Sequence, residues 1–183
     1  MSFNKYAIGL TLGLLSLGAN ASSVSGTMSD TTAKFNASLS IEPFEIEAGA
    51  LYLSDGGKSG YVGAMIVDKA DPIEVGVGIR ARAVEGDLGA GDSGYALGFG
   101  GYYRYILPQA NRVSLYGSGY YYPSLFSYGD IKRQHEADFR AEYSATRNAR
   151  VYVSYSIVKT EFADYRDKYT LDEGINFGVS AYF

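Results

Sequence analysis

At 183 residues, with 18 Tyr, 23 Gly, 4 Pro and no Trp, the chain has the length of one domain and the composition of strands and tight turns. The absence of Cys excludes a disulfide framework, a thiolate metal site, a cysteine nucleophile and a lipid-bearing cysteine, and a lone histidine, His135, excludes a multi-histidine metal centre within one chain. The net charge of −4 carries no footprint for nucleic acid, and no cofactor is expected.

Residues 1–5 form a short positive end, residues 6–18 an apolar run, and Ala19-Asn20-Ala21 an A-x-A cleavage site. That three-part pattern predicts a signal peptide over residues 1–21 and an exported domain over residues 22–183. Cleavage would remove Lys5 and leave the domain one charge more negative.

Past the leader, no segment approaches the ~20 apolar residues of a spanning helix. What recurs is a run with a period of two, broken by turn residues. Residues 23–29 supply a first short strand, with Asp30-Thr31-Thr32 as its turn. Residues 33–41 follow, with Phe35, Ala37, Leu39 and Ile41 on one face. Residues 44–53 set Phe44, Ile46, Ala48, Ala50 and Tyr52 against Glu45, Glu47 and Gly49. Residues 61–67 are a strand of less certain facing. The clearest run is 73–83, where Ile73, Val75, Val77, Ile79, Ala81 and Ala83 alternate with Glu74, Gly76, Gly78, Arg80 and Arg82. Residues 95–107 set Tyr95, Leu97, Phe99, Tyr103, Tyr105 and Leu107 against Gly98, Gly100, Tyr102 and Arg104. Residues 113–122 are again of uncertain facing. Residues 137–145 oppose Ala137, Phe139, Ala141 and Tyr143 to Asp138, Arg140 and Glu142, and residues 151–157 oppose Val151, Val153, Tyr155 and Ile157 to Tyr152, Ser154 and Ser156. The last run, 173–183, has Ile175, Phe177, Val179, Ala181 and Phe183 on its apolar face.

Connections at 42–43, 68–72, 107–112 and 146–150 read as tight turns, and those at 54–59, 84–94, 123–134 and 159–172 as longer polar loops. Short on one side and long on the other is the asymmetry of outer-membrane barrels. With both ends on the short-turn, periplasmic side, the strand count must be even. The expected fold is an all-β, antiparallel transmembrane barrel of ten strands, with eight as the alternative. Two aromatic girdles are expected, Tyr52, Tyr61, Tyr95 and Tyr121 above and Phe44, Tyr105, Tyr143 and Phe183 below. A soluble periplasmic β-sandwich is the rival architecture.

The signal peptide, the chain length, Val24-Ser25-Gly26, the run Gly94-Tyr95-Ala96-Leu97-Gly98-Phe99-Gly100-Gly101 and the run Gly119-Tyr120-Tyr121-Tyr122-Pro123-Ser124 are similar to those of YfaZ-like outer-membrane proteins of Gram-negative bacteria. The resemblance covers the exported domain and implies an outer-membrane barrel, with no catalytic residue carried over. Resemblance to outer-membrane proteins generally makes Phe183 the assembly signal that the barrel-insertion machinery reads.

In this frame Glu45, Glu47, Glu74, Arg104 and Glu142 fall in the periplasmic half of the lumen, and Arg80, Arg82, Asp138 and Arg140 nearer its middle or outer half. A narrow barrel with opposite charges inside favours an ion-paired plug over a water path. The expected role is structural or surface-interacting, at most a narrow channel with a charged lumen, in a monomer. The alternative is a small lipid-modifying enzyme using His135, near Glu136, Asp138 and Ser144. A deacylase would place a serine two residues after the histidine, where Ala137 stands, and a solvated loop is the expected setting of His135. Loop charges Asp87, Asp92, Asp130, Lys132, Arg133, Asp164, Arg166, Asp167, Lys168 and Asp172 read as solvated surface. Lys132, Arg133, Arg166 and Lys168 are candidate contacts for lipopolysaccharide phosphates, with acidic neighbours bridging through divalent cations.

Overall fold

Strands of period two that are apolar on one face need somewhere to put that face and a partner for every backbone edge. In this chain both needs are met by closure. The computed structural model describes residues 22–54, 56–86, 93–162 and 168–183; the expected leader over residues 1–21 lies outside them.

The strands are β1 (Ser23–Met28), β2 (Thr32–Ile41), β3 (Phe44–Leu53), β4 (Lys58–Ala70), β5 (Ile73–Glu85), β6 (Ser93–Ile106), β7 (Val113–Tyr122), β8 (Ser127–Gly129), β9 (Ile131–Ser144), β10 (Ala149–Phe162) and β11 (Lys168–Tyr182). All pairings are antiparallel, and β1 returns to β11 in a register running from Ser23↔Tyr182 to Met28↔Phe177. The short β8 pairs only with the outer end of β6, above β7, so it belongs to a connection and the wall has ten strands. The ends meet at the seam, where the Phe183 N–H donates to the Ser22 carbonyl at 3.1 Å.

The side chains are arranged inside out relative to a water-soluble sandwich. Val62, Ile66, Val77, Phe139, Ile175 and Phe177 are each more than half exposed, whereas Arg82, Glu142, Gln134 and Asn176 are buried. An apolar outer belt around a polar interior is stable only with hydrocarbon outside, which places the barrel in the outer membrane.

The interior is filled by pairing large rings with absent side chains. Tyr61, Tyr102 and Tyr152 each lie over the directly opposed glycine of the next strand, Gly49, Gly76 and Gly178. Tyr61 therefore points inward, and it is not a member of the outer girdle. Tyr52, Tyr95 and Tyr121 do face outward near that rim, and Phe44, Tyr143 and Phe183 face outward near the other.

The loops are shorter than the sequence pattern implies. Connections at the end where the termini meet span 42–43, 71–72, 107–112 and 145–148; at the opposite end they span 29–31, 54–57, 86–92, 123–130 and 163–167. The polar stretches 131–134, 159–162 and 168–172 are strand, not loop. Ladder hydrogen bonds continue beyond the apolar belt, and outward side chains there become charged because they leave the lipid. Asp87, Asp92, Asp164, Arg166 and Asp167 lie outside the described residues.

The ring-on-glycine packing makes a direct prediction. Gly178→Val would drive a methyl-bearing Cβ into the Tyr152 ring and should destabilise the barrel by about 1–3 kcal/mol. Urea unfolding in lipid vesicles checks this, with the outward-facing Val179→Ala as the comparison, expected to cost less than half as much.

Candidate functional site

The inward positions of β2–β6 and β9–β11 bring fourteen charged side chains into one lumen. Seven are basic (Lys34, Lys69, Arg80, Arg82, Arg104, Arg140, Arg150) and seven acidic (Glu45, Glu47, Glu74, Glu136, Asp138, Glu142, Asp172) among the described residues. The lumen is neutral.

Its outer half is organised around Arg80. Nε and Nη2 of Arg80 donate to Oε1 of Glu47 at 2.9 and 2.7 Å, and Nη1 pairs with Glu136. The guanidinium lies 4.0 Å from the Tyr61 ring centre and 3.7 Å from that of Tyr120. Tyr120 in turn donates its hydroxyl to Glu47 at 3.2 Å. Arg82 shares Glu136 and donates to Ser59 Oγ at 3.2 Å. Here two arginines converge on one carboxylate between aromatic faces, a geometry suited to guanidinium groups and not to lysine.

The periplasmic half is organised around Glu142. Arg104 bridges Glu74 and Glu142, the latter at 3.0 Å, and Ser114 donates to the same carboxylate at 3.0 Å. Arg150 stands 3.6 Å from Glu142 and donates to the Tyr182 hydroxyl at 3.1 Å. Arg140 pairs with Asp138, its guanidinium 4.7 Å from the Tyr116 ring centre and 4.8 Å from that of Tyr152.

A third group joins strands that are not neighbours. Asp172 of β11 pairs with Lys34 of β2 and accepts from Thr32 of β2 at 2.9 Å. Lys34 also donates to Ser156 Oγ at 2.6 Å, and Asn176 donates to the same oxygen at 2.7 Å. These bonds reach across the position of β1, whose top residue, Met28, is already at its end.

Above the charges lies an apolar layer of Leu51, Val84, Ala96, Ile131, Val158, Phe162 and Leu171, each no more than 5% exposed. Two bulges build it. The register shifts between Val158 and Lys159 opposite β11, and between Glu161 and Phe162 opposite β9. Each shift reverses the in–out alternation, turning Leu171 and Ile131 into the lumen. Within this layer Gln134 and Thr160, opposed across β9 and β10, are fully buried, and their side-chain polar atoms have no partner among the described residues. Below it a cavity of about 320 Å³ runs from Ser22, Ser40, Lys69 and Tyr182 at the periplasmic rim up to Lys34, Leu51 and Val158.

All nine charges read from the sequence as lumenal occupy this interior. Sequence reasoning missed Glu136, the partner of both Arg80 and Arg82, although it continues the parity of Asp138, Arg140 and Glu142. It also missed Lys34, Lys69 and Arg150, and placed Asp172 in a loop. His135 is a strand residue of β9, opposite Tyr121 and Lys159, and not a loop residue. It shares the outward face of Ala137 and Phe139, whereas Ser144 lies nine residues on along β9 with the inward parity of Glu142. That is about 30 Å along the strand, so the two form no dyad.

A family model described as YfaZ precursor matches residues 1–183. Among solved structures, a KdgM porin is similar at 13% identity, covering 88% of this chain and 98% of that one, with a TM-score of 0.46. The outer membrane channel DcaP of Acinetobacter baumannii is similar at 12% identity over 87% of this chain and 54% of that one, with a TM-score of 0.45. The outer membrane protein OmpT of Vibrio cholerae is similar at 14% identity over 82% of this chain and 54% of that one, with a TM-score of 0.44. The comparison with curated proteins gave no match.

Removing one partner of a buried ion pair leaves an uncompensated charge and costs about 3–5 kcal/mol. Glu136→Gln should therefore reduce stability in urea unfolding by an amount in that range, because it strands Arg82 and half of Arg80. Glu45→Gln, at the rim beside Lys69 and Ser38, should cost less than about 1 kcal/mol.

Proposed function

The chain belongs to the YfaZ family, and we propose that its barrel is a sealed structural element of the outer membrane that acts through its surface-facing wall and not as a solute pore. The observation that carries this reading is the neutral, pairwise-compensated lumen beneath an apolar layer. A pore that conducts ions needs a hydrated path, and an ion crossing Leu51, Ile131, Phe162 and Leu171 would lose its hydration without gaining a charged partner. The arginines that in a pore would set selectivity are held here by Glu47, Glu136, Glu74 and Glu142. The barrel acts as a monomer, delivered by the barrel-assembly machinery and surrounded by outer-membrane lipid and lipopolysaccharide.

The same geometry argues against lipid-modifying catalysis at His135. A nucleophile within hydrogen-bond reach is required, and Ser144 lies nine residues along β9 with the opposite parity.

In planar bilayers the pure protein should show no steady conductance. Truncating the apolar layer with Phe162→Ala and Leu171→Ala together should produce channel openings. A steady open pore in the unaltered protein, abolished by changing Arg80 or Arg82, would overturn the reading. Cells carrying His135→Ala should keep an unchanged lipid A profile, read by mass spectrometry of extracted lipid A.

A further inference from the structure

The outward face of β9, β10 and β11 changes character along a sharp line. Phe139, Tyr155 and Ile175 are apolar and 44–62% exposed. One strand pair higher stand Ala137, Ile157 and Glu173, and above them the row Tyr121, His135, Lys159 and Thr170. Above that row, Arg133 is opposed to Glu161, and Glu161 to Lys168. His135 lies eight residues above the lower-girdle Tyr143 along β9. That is about 26 Å along the strand, or roughly 20 Å of height at a ~40° tilt. The row thus sits near the upper edge of an apolar band of about 25 Å, level with the girdle residue Tyr121 and just below where lipid headgroups begin.

At this level the charge is uneven around the barrel. On β4 and β5 Lys58 is balanced by Glu85 at 3.0 Å. On β9 and β10 the outward bases Lys132, Arg133 and Lys159 outnumber Glu161, and Glu173 of β11 brings the acids only to two. Glu161 holds Arg133 by its Nε at 2.6 Å, and Glu173 holds Lys159 at 2.6 Å. Arg133 remains about half exposed and Lys159 about a quarter. Two cations fixed a row apart, with His135 in register with Lys159, two residues below Arg133 on β9, and Tyr121 beside it, form an anion-binding surface on a protein that is otherwise net negative.

We propose that the upper wall of β9–β11, centred on Arg133, His135 and Lys159, docks the phosphate groups of the outer-leaflet glycolipid, lipid A. The surface opens sideways into the headgroup layer and not into the lumen, so its occupant is a membrane lipid. The inference rests on the surface-interaction reading above and names the partner.

The test uses the full folded barrel in phosphatidylcholine vesicles containing bisphosphorylated or dephosphorylated lipid A, with lipid retention read by native mass spectrometry and folding by heat-modifiable gel migration. The bisphosphorylated form should be retained at least roughly tenfold better, from about 1 kcal/mol per cation at a charged surface. Arg133→Ala with Lys159→Ala should abolish the preference while the barrel stays folded, and Lys58→Ala on the far wall should leave it intact. Equal retention of both lipids, an undiminished preference in the double variant, or complete competition by millimolar inorganic phosphate would overturn the proposal. A conducting barrel that still selects bisphosphorylated lipid A would sink the sealed-barrel reading alone; a silent barrel without the preference would sink this one alone.

Discussion

Backbone groups facing hydrocarbon have no water to turn to, and from that constraint the rest of this structure follows. The sheet must close, so β1 must reach β11. Yet β1 has only six residues, and its ladder with β11 stops at Met28↔Phe177 while β11 continues upward. The bonds from Lys34 and Thr32 to Asp172 cross that step. Side-chain bonding thus takes over where backbone pairing ends, and a buried ion pair serves there to fix register, the best-attested use of such pairs.

Closure dictates the interior as well. Ten strands enclose a width that side chains largely fill, and period two forces half of every strand to point there. The chain meets this with two devices. Tyrosine rings occupy the space left by opposed glycines, and the charges neutralise one another in groups. The devices share residues: Tyr61 covers Gly49 and stacks on Arg80, while Tyr152 covers Gly178 and faces Arg140. Loss of one ring therefore disturbs both packing and electrostatics, and such effects will not be additive.

Where alternation is unbroken the fold is legible in the sequence. Residues 73–83 display the barrel wall, the lumenal arginines and the lipid face at once, because a strand's two faces are its two parities. Legibility fails where parity is broken or where one face lacks contrast. The bulges at the tops of β9 and β11 reverse the pattern, so 131–134 and 168–172 read as polar loop, and with them went Ile131, Leu171 and the setting of His135. Tyr61 was misplaced for the second reason. The stretch 60–67 carries small residues, Gly60, Gly63 and Ala64, on both faces, and tyrosine is at home both in a girdle and against arginine. Glu136 is legible in the sequence too, since parity alone puts it with Asp138 and Arg140.

The two bulges also explain why the barrel's ends differ in chemistry. At the periplasmic end alternation persists to the rim, and the lumen stays polar down to Ser22, Ser40 and Lys69. At the outer end the β11 bulge sets Leu171 inward directly beside inward Asp172, and the β9 bulge leaves Lys132 and Arg133 both outward and turns Ile131 inward. That places Ile131 and Leu171 against Phe162, Val84 and Leu51, so the seal is made by strand irregularity and not by a folded-in loop. A seal of this kind is rigid, since moving it means breaking ladder hydrogen bonds on both sides of the bulge. Gln134 and Thr160 are its weak point: unpartnered polar atoms there cost about 1–3 kcal/mol per buried group and leave the layer short of close apolar packing. A barrel that needed only to be stable would gain by replacing them with Leu and Val.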